Sequence, residues 1–360
     1  AIFWISSLTP VLLNISIIAC ALLFAPRLSN PTFGFAIGVL LGGVIQLTVQ
    51  LPTARKTGLQ LLSRINLADP KIRQVITLIL PTIFGTGIYQ INIIVSNFIA
   101  SSLDEGAISS LNFSNRLLEL IIGVFIISIT TVFLPRFSTL FAEQRLDTIS
   151  SEMQRIIEIT AFIALPATVG IFMIGDEIVT LLFARGAFDA TSVSLTAGAL
   201  RYHILGLIFI SWNRILLTLF QAGKWIRHTV QIAAVILIVN TVAALVFSRT
   251  TGHLGIAGAN SLSQVVQTVL LVLYLHKLMK CRIGLFFSGK RLAKTVMLST
   301  LLLIALWGFK TYIIAREQPV LLNVCLLIGF GIIFYGSCAL LFKSEALKSL
   351  IEQTRFHKRS

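Results

Sequence analysis

Arg116 and Glu119 stand three residues apart near the start of the apolar stretch Leu111–Phe137, LNFSNRLLELIIGVFIISITTVFLPRF. On a helix that spacing places both charges on one face, about one turn apart. No further charge follows from Leu120 to Pro135. A charged pair on a membrane helix marks a functional site by default, because charge in lipid is costly unless it faces protein or water. Arg214, in WNRILL, lies well inside another apolar run. An arginine at a helix centre costs about 2.5–3.5 kcal/mol on insertion scales, so it faces protein or water rather than lipid. Substrate contact and pairing with a backbone carbonyl both fit it. Asn115 adjoins the Arg116 pair, and Ser96, Asn97 and Asn240 are uncharged polar groups within apolar runs. These four either line a cavity or form interhelical hydrogen bonds, and packing is the simpler reading.

The elements that must position these residues are membrane helices. Of 360 residues, 56% are hydrophobic and only 12% charged, against about 25% charged in soluble domains. A span needs about 20 apolar residues, and ten stretches qualify: 5–25, 33–52, 75–101, 110–135, 156–175, 193–220, 229–248, 255–276, 294–315 and 320–342. The fold class is therefore an all-α polytopic membrane protein. The segment 136–155 is expected to continue its helix out of the membrane and turn back along the surface. The amphipathic segment 176–192, broken by Gly186, is expected at the outer interface.

The net charge of +15 does not imply nucleic acid. Of the 29 Lys and Arg, Arg116, Arg201 and Arg214 lie inside spans, and five, Arg27, Arg185, Arg249, Lys310 and Arg316, lie in alternate loops. The other 21 sit in loops 53–74, 136–155, 221–228 and 277–294 and in the tail. That asymmetry makes the 21-residue side cytoplasmic, with both chain ends there, facing anionic lipid. Arg201 reads as an interface anchor and His203 as a satisfied core or interface histidine. The four cysteines show neither metal nor disulfide spacing and act as small hydrophobes. No HExxH, Walker A, GxSxG or paired-carboxylate motif is present, and no acidic residues fall in a large outer loop. Hydrolase, ATPase and glycosyltransferase readings are unsupported. No metal or cofactor is expected. A hard cation wants charged oxygen ligands, and no Asp or Glu stands beside Ser96, Asn97 or Asn240.

FSNRLLELIIGVF, TVFLPRFSTLFA, LPATVGIFMIGDEIVTLLFARGAFDATSV and LTPVLLNISII occur in order, and together they resemble the MurJ/MviN lipid II flippase group of the MOP transporter superfamily. The resemblance is strongest from Pro10 to about Thr218, and the last two spans resemble the family mainly by position. It implies the fifth to fourteenth helices of a fourteen-helix transporter: residues 1–52 as the remnant of a first lobe, 53–74 a cytoplasmic loop, 75–277 the second lobe, 278–293 a cytoplasmic loop, 294–342 an extra pair shaping a lipid-tail groove, and 343–360 a basic cytoplasmic tail. The chain starts with Ala rather than Met, which fits a piece of a longer protein or a coding region broken upstream.

The resemblance further implies a bacterial inner-membrane protein that moves lipid-linked peptidoglycan precursor between leaflets by alternating access. Its partners would be lipid II, membrane phospholipids and other cell wall synthesis proteins. It casts Arg116 and Glu119 as cavity-facing: the guanidinium would bind the lipid diphosphate bidentately, and Glu119 would orient it. The family usually has Asp at the position of Asn115, and often Lys at that of Arg214. From the residues alone, an arginine snorkelling to the outer interface stays open, since Leu120–Pro135 covers only about 24 Å of helix. Two rival functions also stand: another MOP exporter of lipid-linked polysaccharide, and a non-transporting remnant. The DNA upstream of Ala1 separates the last from the others.

Overall fold

The computed structural model describes residues 3–56, 70–279, 288–314 and 318–348. Lipid offers no hydrogen-bond partner to a bare backbone, so long apolar runs must become helices. Eleven are seen among the described residues: α1 (Phe3–Leu23), α2 (Thr32–Lys56), α3 (Pro70–Ser101), α4 (Ala107–Ala142), α5 (Leu146–Phe183), α6 (Ala190–Ile204), α7 (Leu207–Ala222), α8 (Ile226–Thr251), α9 (His253–Met279), α10 (Gly289–Ile314) and α11 (Val320–Leu341). Helix covers most of every span read from the sequence. By length and apolarity seven described helices can cross a membrane, or eight when α6 and α7 count as one bent span, so the figure of ten is not reached on that measure. Much of loops 53–74 and 278–293, and tail residues 349–360, lie outside the described residues.

Two sequence expectations change. The run 193–220 is not one straight helix: α6 and α7 meet at a 49° bend. Gly206 sits at that bend, where a Cβ would come within 2.8 Å of Ser261 Oγ. Its absence lets Ser261 of α9 reach in and donate to the carbonyls of Tyr202 and His203 (2.7 and 3.2 Å). Asp189 caps the start of α6 by accepting from the Ser192 backbone N–H at 2.8 Å, and that bond holds its carboxyl below the usual range. The second change is that α5 runs unbroken by any loop through the second half of 136–155, the span 156–175 and the start of 176–192. The surface turn is confined to residues 143–145, where Gln144 adopts a φ of 56°.

Contacts divide the chain into two units, Ala1–Val75 and Ile76–Ser360. In the first, α1 and α2 pack as a hairpin. A Cβ on Gly38 would lie 2.7 Å from Ile17 Cα, so only glycine permits this close approach, the small-residue packing that membrane helices favour. Ser16 donates to the Gly38 carbonyl at 2.9 Å and Gln46 to that of Thr9 at 2.7 Å.

The second unit packs α4, α5, α7 and α9 around Phe137, Ile149, Met153, Leu216, Phe220 and Leu275, all fully buried. α10 and α11 pack against α5 and supply what its backbone lacks. Pro166 has no N–H, which orphans the carbonyl four residues earlier; buried Tyr335 of α11 donates to that carbonyl, Phe162 O, at 3.1 Å. Further on, Ile174 leaves the helical region (φ −111°, ψ 18°). The carbonyls just before it are met by two cations from other helices. Arg201 Nε of α6 reaches Phe172 O at 3.4 Å and also pairs with Asp176. Lys310 Nζ of α10 takes Met173 O and pairs with Glu177 at 2.8 Å. At its other end α10 is pinned through Arg291 to buried Glu158 at 3.0 Å, with Gln154 donating to the same carboxylate.

Tyr335→Phe keeps the ring that lies 5.1 Å from Phe162 and removes only the donor. It should cost about 1–2 kcal/mol, the price of one unmet buried acceptor, read as the unfolding free energy in detergent. An unchanged value would mean that the Phe162 carbonyl finds another donor.

Candidate functional site

The Arg116–Glu119 pair forms as its spacing predicts, Nη1 to Oε2 at 3.1 Å. Asn115 Nδ2 donates to the other oxygen of Glu119 at 3.3 Å, so the carboxylate is held from two sides. The Arg116 side chain is 80% exposed and that of Glu119 40%. Glu119 is the only partner of the guanidinium among the described residues, which leaves most of its five donors available.

Beside this pair the second unit holds a cavity of about 680 Å³ bounded by α3, α4, α7, α8 and α9, with His203 of α6 also in its lining. Ser96, Asn97, Asn115 and Asn240 all line it. The structure therefore brings together four residues that the sequence scattered and that looked first like packing groups. They are joined by residues the sequence reading did not single out: Asn92 and Tyr89 of α3, Asn112 of α4, Gln221 of α7, and Asn260, Gln264 and Gln267 of α9. The available signal was spacing, since Asn92–Ser96, Asn112–Asn115 and Asn260–Gln264–Gln267 each form a polar stripe at three or four residues on an otherwise apolar helix. Behind the wall, buried Asn213 donates to the side-chain oxygens of Gln264 (3.0 Å) and Gln267 (3.3 Å) and accepts from Thr268 at 2.7 Å.

Along α8 the lining runs from Ile226 to Asn240, about 21 Å of helix, or some two thirds of a hydrocarbon core. Among the described residues no Asp, Glu, Lys or Arg lines the cavity. Arg116 lies one turn beyond Asn112, and Glu119 one turn beyond Asn115, so the charged pair continues the lining face of α4. Arg214 does the same on α7. It is exposed, and Leu217 and Gln221 on its face line the cavity. Its guanidinium has no partner among the described residues, which removes the carbonyl-pairing reading for them. Arg201 is not a free anchor but part of the α5 clamp described above. His203, 4% exposed, shares a hydrogen bond with Ser114 Oγ at 3.0 Å, as a satisfied core histidine does. Among the described residues no group of His, Cys, Asp and Glu could hold a metal.

A family model described as lipid II flippase MurJ matches residues 1–330. Similar curated proteins include the probable lipid II flippase MurJ of Vibrio cholerae, 33% identical over 76% of this chain and 52% of that protein. The lipid II flippase MurJ of Burkholderia cenocepacia is 31% identical over 76% and 54%. The chain thus spans about half the length of these curated relatives. A solved structure described as lipid II flippase MurJ, inward closed conformation, superposes with a TM-score of 0.77 over 93% of this chain and 66% of that one, at 22% identity. That likeness establishes the fold.

Proposed function

This chain belongs to the MurJ family of lipid II flippases, and from that premise we propose that it serves to carry lipid II from the inner to the outer leaflet of a bacterial inner membrane by alternating access. The observation that carries the reading is the family match across residues 1–330, which contains the helix bearing Arg116 and Glu119. The chain is a multi-pass membrane protein of that family. The proposed role goes further.

Arg116 is the proposed diphosphate contact. Its guanidinium is exposed, continues a cavity-lining face, and among the described residues is held only by a partner on its own helix. Such a tether is weak, about 0–1 kcal/mol for an exposed pair, and a phosphate can displace it. A charge-assisted bidentate contact is stronger, about 1.5–3 kcal/mol. Glu119 then acts as a stand-in anion that keeps Arg116 extended between substrates. Arg214, on the lining side of α7 and without a side-chain partner among the described residues, is the second proposed cation. The Lys and Arg asymmetry of the loops supports placing the end of α4 near Pro135 at the cytoplasmic face and Arg116 toward the outer one. Residues 1–52 are proposed as part of a first lobe, the helices from α3 to α9 as the second, and α10–α11 as the extra pair along which a lipid tail could lie.

The test is binding. In nanodiscs of neutral lipid, the purified chain should bind a polyprenyl-diphosphate saccharide at least about tenfold more tightly than the matching polyprenyl alcohol, the discrimination expected of one charge-assisted contact. Equal binding of the two would sink the proposal.

A further inference from the structure

We propose that the end of α5 beyond its break at Ile174, residues 175–183, is a positioning arm for the turn of α4 that carries Arg116, with Phe183 as the residue through which it acts. Arg116 is tied only from within its own helix. Among the described residues its guanidinium pairs with Glu119 alone, and Asn115, which steadies that carboxylate, belongs to α4 as well. Such ties move with the helix. The place of the guanidinium in the unit is therefore set by whatever packs on this turn.

What packs there is α5, from both sides of its break. Leu118 and Ile122 share a buried cluster with Ala161 and Ala164, which precede the break. Leu117 shares another with Val179, which follows it. The Phe113 ring, one turn before Arg116, lies 4.8 Å from that of Phe183 and 5.4 Å from that of Phe188. The direction of the arm thus bears directly on the Arg116 turn, and other helices hold that direction. A regular helix gives the carbonyls of residues 172 and 173 to the N–H groups of residues 176 and 177. Here Arg201 of α6 donates to the Phe172 carbonyl and pairs with the Asp176 carboxylate. Lys310 of α10 does the same for the Met173 carbonyl and Glu177. Each cation holds one group on either side of Ile174, so each staples the break. At the far end of the arm Phe183 and Phe188 also meet, at 5.8 Å, and aromatic pairs keep preferred geometries rather than sliding freely. The use of Arg116 rests on the flippase reading above, whereas its coupling to the arm does not.

Two readouts test this, both on the full chain in nanodiscs of neutral lipid. The first is binding of a polyprenyl-diphosphate saccharide against the matching polyprenyl alcohol. Phe183→Ala should weaken the diphosphate ligand about tenfold, the lower end of what losing a charge-assisted contact does, and leave the alcohol unchanged. Phe188→Ala, which removes the other ring on Phe113, should act the same way, and Phe183→Tyr, which keeps the ring, should bind as the parent does. In an Arg116→Ala background Phe183→Ala should add nothing, as residues acting through one contact require. Phe141→Ala removes a ring 5.3 Å from Trp225 at the other end of α4 and should leave the discrimination intact. The second readout needs no ligand. With Cys20, Cys281, Cys325 and Cys338 replaced by serine, spin labels on Leu120→Cys of α4 and Leu273→Cys of α9 report the distance between those helices. Phe183→Ala should shift that distance by more than about 2 Å, the scale of a rearrangement rather than a side-chain adjustment, and Phe141→Ala should not. Equal binding of the two ligands by the parent would sink the diphosphate reading, and the label distance would then decide the arm by itself. An unmoved distance in Phe183→Ala overturns the arm whatever the ligands do. Where the parent does discriminate, parent-like binding by Phe183→Ala, or an equal loss in Phe141→Ala, overturns it too.

Discussion

Arg116→Ala is expected to remove diphosphate-dependent binding and, in a bacterium that relies on this protein, to abolish growth while the protein still accumulates in the membrane. The two halves of that expectation have separate physical grounds. Stability should barely change, because the side chain is 80% exposed and its ion pair lies within one helix, a type worth about 0–1 kcal/mol. Binding should change greatly. Losing a bidentate, charge-assisted contact of about 1.5–3 kcal/mol weakens affinity by about 10- to 150-fold. Arg116→Lys should fall between, since an ammonium keeps the charge but not the planar fork. Arg201→Ala provides the contrast: its loss breaks the pair with Asp176 and the contact to Phe172 O, so it should lower stability yet permit growth wherever the protein reaches normal levels. Growth supported by Arg116→Ala at those levels would remove Arg116 from the site.

The Arg116–Glu119 pair was legible because both partners lie on one turn of one helix, where spacing alone sets geometry. The membrane helices were legible for a similar reason, since span length and apolarity are properties of contiguous residues. The breaks were not. In α5 the residue that leaves the helix is Ile174, neither a Pro nor a Gly, and what holds it there comes from Arg201 and Lys310, distant in sequence. The bend at Gly206 likewise depends on Ser261 of another helix. The cavity shows the limit most clearly. Asn97 and Asn240 each looked like an ordinary interhelical hydrogen-bonding group, and only the arrangement of five helices puts them on one surface. Among the described residues that surface carries no Asp, Glu, Lys or Arg, a property no single residue conveys.

The backbone break in α5 leads to the largest expected effect on stability. Lys310 and Glu177 are nearly covered, with side-chain exposures of 17% and 16%, and lie 2.8 Å apart. The ammonium also holds Met173 O, beside the non-helical Ile174. Lys310→Met would preserve much of the aliphatic stem while stranding both a carboxylate and a carbonyl. Removing one partner of a buried pair costs about 3–5 kcal/mol; with some solvent still reaching this pair, the lower end, about 3 kcal/mol, is the expectation. Adding Glu177→Leu should restore most of it, because the uncompensated charge, rather than the lost attraction, dominates the penalty. The remainder, about 1 kcal/mol, measures the Met173 carbonyl alone. Lys294→Met, whose exposed ammonium contacts only the Lys343 carbonyl among the described residues, should stay within about 0.5 kcal/mol of the parent. Unfolding free energies of the four proteins in detergent decide the matter. A double variant no more stable than Lys310→Met would show that the ion pair is incidental and that α10 holds α5 through apolar packing, whereas recovery would identify Lys310 as the group that lets α5 break inside the membrane.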